Sequence, residues 1–183
     1  MSKTKRLILL LSLAVLISIS INVYSYIKIQ SQNNENIETY NVILSYVEAN
    51  LDSVNYSASK LLEDKEGYSE METLRYLSSI SESLKAAWYS MKSAELYNNE
   101  HENIEILLNY YYESCIGLQE DLSAGDKEEI FNSLQLINND INHILKTFHS
   151  RDVLATDRDI LWDSIISELT YKEVLNRVKL HVE

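Results

Sequence analysis

The sequence predicts an all-α fold: an N-terminal transmembrane helix followed by an up-and-down antiparallel helical bundle of four to five helices. Three observations carry the prediction. Proline is absent and glycine occurs only at Gly67, Gly117 and Gly125, whereas sheet proteins need frequent turns built from those residues. Apolar residues recur at alternating spacings of three and four through most of the chain. Leu7–Ile27 runs 21 positions without a charged side chain, close to the roughly 20 helical residues that cross a bilayer core.

The first element is this apolar run. Residues 1–6 form a basic tip with Lys3, Lys5 and Arg6, and flanking positive charge stays on the cytoplasmic side. Residues 28–183 are therefore expected outside the membrane. Tyr24 and Tyr26 stand where interfacial rings anchor a helix at the outer headgroups. Ala14, Ser18 and Asn22 share one face and could meet another helix in the bilayer. A secretory signal is the rival reading, cleaved after Val23-Tyr24-Ser25 to start the mature chain at Tyr26. Its apolar part is usually only about 7 to 15 residues long, so the anchor over 7–27 is preferred.

A juxtamembrane connection over 28–36 leads into the external bundle, 37–183. Ile37, Tyr40, Leu44, Val47, Leu51, Val54, Ala58 and Leu61 alternate steps of three and four without a miss. With 45% of the chain apolar, chance would fill fewer than half of those positions, so this is a helical seam. A loosening is expected at Ser31-Gln32-Asn33-Asn34, because these residues favour caps over helix interiors. Ser69 and Glu72 form a capping box that opens a second helix. Its inward row is Leu74, Leu77, Ile80, Leu84, Ala87, Trp88 and Met91.

Ile104, Leu107, Tyr111, Cys115, Leu118 and Leu122 make the inward row of a third helix, stopped near Gly125. Asp126 with Glu129 opens a fourth, carrying Ile130, Leu134, Ile137, Ile141, Ile144 and Phe148. Thr156 with Asp159 opens a fifth, through Leu161, Trp162, Ile165, Leu169, Leu175 and Val178. The five external helices thus fall near 34–65, 69–98, 101–124, 127–149 and 157–181. Val178, Leu180 and Val182 alternate like a strand, too briefly to count against so much helix.

Charge narrows the partners. Beyond residue 6 there are 13 basic and 28 acidic residues, a balance of −15. Such a surface repels phosphate backbones, which excludes nucleic acid, and it is unsuited to lying on anionic lipid. One cysteine rules out an internal disulfide framework. Cys115 shares a helical face with Tyr111 and Leu118 and reads as a buried thiol.

Chemistry is sparse. Bundles that hold paired metal ions offer Glu-x-x-His motifs, and the chain has none. The nearest approach is Asp140 with His143, plus His101 with Glu105. Asp140 falls beside the buried row and His101 in a polar connection, so both read as solvated surface, and neither metal nor cofactor is expected. Gly-x-Ser-x-Gly, phosphate loops and calcium loops are absent. Catalysis is accordingly not expected. The composition signal that stands out is 13 tyrosines against two phenylalanines and two tryptophans. Tyr110, Tyr111 and Tyr112 are consecutive and so point three ways around a helix. Spacing sends Tyr111 inward and leaves Tyr110 and Tyr112 as partner-binding candidates. Trp88 and Trp162 read as core.

A span followed by long external helices resembles the ligand-binding bundles of bacterial membrane sensors. The resemblance is one of topology only, brings no motif, and lacks the second span that carries a signal inward in those sensors. The expected function is a single-pass protein of a bacterial cell membrane. Its extracytoplasmic bundle is a non-catalytic binding or accessory module for another envelope or membrane protein. Two alternatives stand beside it: an envelope metal-binding protein or enzyme using the carboxylate–histidine residues, and a secreted soluble bundle.

Overall fold

A computed structural model describes residues 3–94, 96–97, 102–124, 127–150, 165–174 and 176. The described residues are helical apart from short connections: α1, Lys3–Glu63; α2, Glu70–Ala94; α3, Glu102–Ala124; α4, Lys127–Ser150. The chain divides into two compact units, 1–39 and 40–183.

In the first unit α1 is unbroken. The loosening expected at Ser31–Asn34 is absent. The preference of Ser and Asn for caps costs only tenths of a kcal/mol per residue in a helix interior, too little to interrupt a long cooperative helix. Every described side chain from Val15 to Glu38 is exposed. Among the described residues no helix is long and apolar enough to cross a membrane. The side chains of residues 7–14 and 16, the most apolar part of the expected span, lie outside that set.

The second unit is a helical bundle around one core. Seven of the eight seam residues on α1, Tyr40 to Leu61, are buried; Ile37 is 47% exposed, so the seam begins one step later than its spacing suggests. The Asp64–Ser69 connection carries the expected cap. Ser69 N donates to Glu72 Oε2 at 2.9 Å and Glu72 N donates to Ser69 Oγ at 3.3 Å. The Ser69 hydroxyl, donating to Glu72 Oε2 at 2.7 Å, and then the Ser69 N–H lower the Glu72 carboxyl from its ordinary value. On α2 the buried row is Thr73, Leu77, Ile80, Ser81, Leu84, Ala87, Met91 and Ala94. Leu74 is exposed and Trp88 half-buried, which turns the face about one position from the expected row. The inward rows expected for α3 and α4 are all buried.

Polar bonds tie the helices into a closed ring. Ser83 on α2 meets Ser53 on α1, and Asn138 on α4 donates to Ser59 on α1 at 3.3 Å. Gln119 on α3 donates to Ser81 Oγ at 3.0 Å, and Trp88 Nε1 on α2 donates to Glu105 on α3 at 3.1 Å. Later residues of α2 thus face earlier residues of α3, the antiparallel arrangement that short connections impose.

The fifth helix differs from expectation. Of 157–181 only 165–174 and 176 are described, and helix is interrupted at Leu169–Tyr171. Ile165, Ile166, Leu169 and Val174 from this segment are buried in the core. Gly125, Asp126, Thr156, Asp159, Trp162 and Val178–Val182 lie outside the described residues.

Candidate functional site

The interruption at Leu169–Tyr171 exists because of a carboxylate on another helix. Asp140, on α4, is 1% exposed. Its spacing explains the burial: three residues after Ile137 and four before Ile144, it satisfies the same rule as Ile141. A buried carboxylate must be met by donors, and four reach it. Thr170 donates twice to Oδ1, through N and Oγ1, both at 2.7 Å. Tyr171 N and Tyr111 Oη each donate to Oδ2 at 2.9 Å.

Asp140 thus accepts the backbone N–H groups of the two residues just before the helical turn that starts at Lys172. Asp140 therefore lies within the core, a correction to its expected place on a solvated face. Roughly four lone-pair sites on a carboxylate are matched by four donors, and none is left over for a metal ion.

The surroundings of Asp140 are ordered by the same bonds. Burial pushes the Tyr111 hydroxyl well above a tyrosine's usual value, and the Asp140 charge and hydrogen bond push it further. The Tyr171 ring stacks on Tyr111 at 6.5 Å between centroids. Burial also raises the Tyr171 hydroxyl, with a Ser114 hydrogen bond opposing the rise. His143, one turn after Asp140 and half-buried, places Nε2 3.4 Å from Glu168 Oε2. Asp140 and His143 thus both hold the Ile165–Val174 segment.

Beside this knot α3, α4 and the segment flank an open cavity of about 380 Å³. Tyr110, Ser114, Gly117 and Leu118 from α3, Ser133 from α4 and Tyr171 form its floor. Glu113, Asp121, Glu129 and Glu173, all exposed, form its rim.

The other expected site residues are dispersed. Glu105 is taken up by Trp88, with Lys92 Nζ 4.0 Å away; His101 lies outside the described residues. Among the described residues no three His, Cys, Asp or Glu side chains converge to hold a metal. Cys115 is buried, and burial pushes its thiol up to about 12, which keeps it from being a thiolate nucleophile near neutrality.

Tyr111 is buried as its spacing requires, but Tyr110 is only 9% exposed, a correction to its place as a partner-binding residue. Tyr112 is half-buried and stacks on Trp88 at 6.2 Å. Trp88 stacks on exposed Tyr89 at 4.8 Å. Lys85 lies over Tyr112 at 5.7 Å and Lys92 over Trp88 at 5.8 Å. The aromatic surface is therefore a strip across α2 and α3: the spacing expects Tyr112 at the surface, whereas it does not single out Tyr89 and reads Trp88 as core, because the partners that complete the strip lie on a different helix.

No known protein family, curated protein or solved structure matches this chain.

Proposed function

We propose that this protein is a single-pass, membrane-anchored bundle that acts outside the membrane as a non-catalytic binding or accessory module for another envelope or membrane protein. The observation that carries the proposal is the charge-free run Leu7–Ile27 behind a basic tip, joined to a bundle in which Asp140 and Cys115 are committed to structure. Asp140 is saturated by donors and Cys115 is sealed. The aromatic strip Trp88, Tyr89 and Tyr112 remains for contact, since such rings bury large area while keeping a polar tip.

Protease added to intact cells or spheroplasts should degrade the chain beyond Gln30, and the mature protein should begin at or near Met1 by mass spectrometry. A start at Tyr26 would replace the anchored reading with the secreted one. Cross-linking in intact membranes followed by pull-down should recover one major partner. Replacing Tyr89 and Tyr112 together by Ala should lose that partner while the Tm stays within a few degrees of wild type. Retention of the partner by that double variant would remove the strip from the interface.

A further inference from the structure

Apart from the aromatic strip, a separate cavity of about 320 Å³ lies between α1 and the start of α2, lined by Ser57, Tyr68, Glu72, Arg75, Tyr76 and Ser79. We propose that it binds a free α-amino acid with an aromatic side chain. Its volume falls within the roughly 300–1,000 Å³ of small-molecule sites. Arg75, Tyr76 and Ser79 follow Glu72 at three, four and seven positions along α2, so the four share one helical face. None of them belongs to the buried row of that helix.

Ser57 is the observation that turns this hollow into a site. It is 6% exposed, its hydroxyl makes no hydrogen bond among the described residues, and its side chain lines the cavity. Other serines of α1 are met: Ser53 by Ser83, and Ser59 by Asn138. A buried hydroxyl left unmet is costly, and one that lines a cavity is within reach of a polar group that enters.

The charges on the α2 wall define that group. Glu72 commits Oε2 to the Ser69 hydroxyl and N–H, and it forms no ion pair with Arg75. The two feel each other's charge without bonding. The exposed Arg75 guanidinium has no ion-pair partner among the described residues. Its flat fork matches a carboxylate in two parallel bonds. Glu72 Oε1 makes no hydrogen bond among the described residues and can accept from an ammonium group. Opposite charges on one wall match a zwitterion. A zwitterion has no net charge, so the balance of −15 beyond residue 6 does not repel it as it would a simple carboxylate.

The rings choose the side chain. Tyr68 and Tyr76 meet edge to face with centroids 5.2 Å apart. A hydrogen bond to Tyr76 raises the Tyr68 hydroxyl above its ordinary value. The polar tips thus engage each other, and the rings remain as π surface for a third ring in offset or edge contact. Walls already held in place lower the ordering cost of binding.

The test is calorimetric titration of the full chain in detergent with phenylalanine. Two analogues are titrated separately: phenylpropionate, which lacks the ammonium group, and phenethylamine, which lacks the carboxylate. Phenylalanine should bind saturably at one site, about tenfold or more tighter than either analogue. Arg75→Gln should weaken phenylalanine about tenfold and erase its advantage over phenethylamine. Glu72→Gln keeps a residue type that serves in the cap. Its Tm should stay within a few degrees of wild type while phenylalanine loses its advantage over phenylpropionate. Ser57→Ala should weaken phenylalanine about fivefold. Loss in all three variants supports the site. Heat that never saturates overturns it, as does full-strength binding in any of the three. Equal affinity for phenylalanine and phenylpropionate overturns it in favour of a plain carboxylate site.

Discussion

Two stretches of α1 carry apolar side chains that meet opposite fates. From Val15 to Ile29 the apolar side chains Val15, Ile17, Ile19, Ile21, Val23, Ile27 and Ile29 are all exposed. From Tyr40 to Leu61 the apolar side chains on every third or fourth position are all buried. The difference lies in pattern. Apart from a skip at Ser25, the first set recurs at every second position, which on a helix spreads it around the whole circumference, whereas the second forms one stripe. Neighbouring helices can cover a stripe, whereas no single neighbouring face can cover a girdle of apolar side chains. Periodicity, as well as hydropathy, separates the residues that build the bundle from those that stay exposed.

The strongest test of this contrast is a pair of truncations. Leu51→Ala, at the centre of the stripe, should cost about 2 to 5 kcal/mol in urea unfolding of the full chain in detergent. Ile21→Ala, in the girdle, should change it by less than about 0.5 kcal/mol. Equal losses would erase the distinction.

Alkaline unfolding sharpens the contrast from the bundle's side. Cys115 keeps its proton in the folded chain until about pH 12, against an ordinary value of 9.0. Between those values the unfolded chain sheds a proton that the folded chain retains, so stability is intact below about pH 9 and falls as pH rises. Three units correspond to at most about 4 kcal/mol. Tyr111, raised in the same direction, adds to the fall above pH 10. Cys115→Ala should remove the part of the decline that begins near pH 9 and leave the later part. A decline unchanged in that variant would show that the thiol titrates normally and is not sealed.

A smaller effect is expected at the knot. Tyr111→Phe removes one of four donors to Asp140, a charge-assisted bond worth about 1.5–3 kcal/mol. The accompanying signature is faster amide exchange at Thr170 and Tyr171, whose N–H groups share the same carboxylate. Loss of stability without faster exchange would mean that the segment is held by its buried Ile165, Ile166, Leu169 and Val174 alone.

What the sequence disclosed follows from the same logic of pattern. The rows on α1, α3 and α4 were readable because a three-four spacing has one structural meaning when apolar residues fill it. The cap before α2 was readable because Ser69 and Glu72 recognise each other within one turn. Asp140 was half-readable: its position obeys the core rule, and an acid at a core position is itself a signal that donors must come from somewhere. Their source was hidden, because Leu169–Tyr171 leaves the helical path without a proline or glycine and under the pull of a residue about thirty positions away. The cavity was hidden for the same reason, since one of its walls is that segment. Gly117 was its one visible trace, a glycine two residues from inward-facing Cys115 where neither a turn nor a helix end was due.

The Asp140 knot has a consequence for how the chain is made. Synthesis runs from the N-terminus, so α4 is complete while Thr170, 30 residues beyond Asp140, has yet to be added. Until then Tyr111 is the only one of the four donors in existence. Enclosing a carboxylate so poorly met costs several kcal/mol, a large share of a small domain's net stability. A chain cut before Thr170 would leave Asp140 with Tyr111 as its one remaining donor of the four, so its core should open to proteases more readily than that of the longer chain.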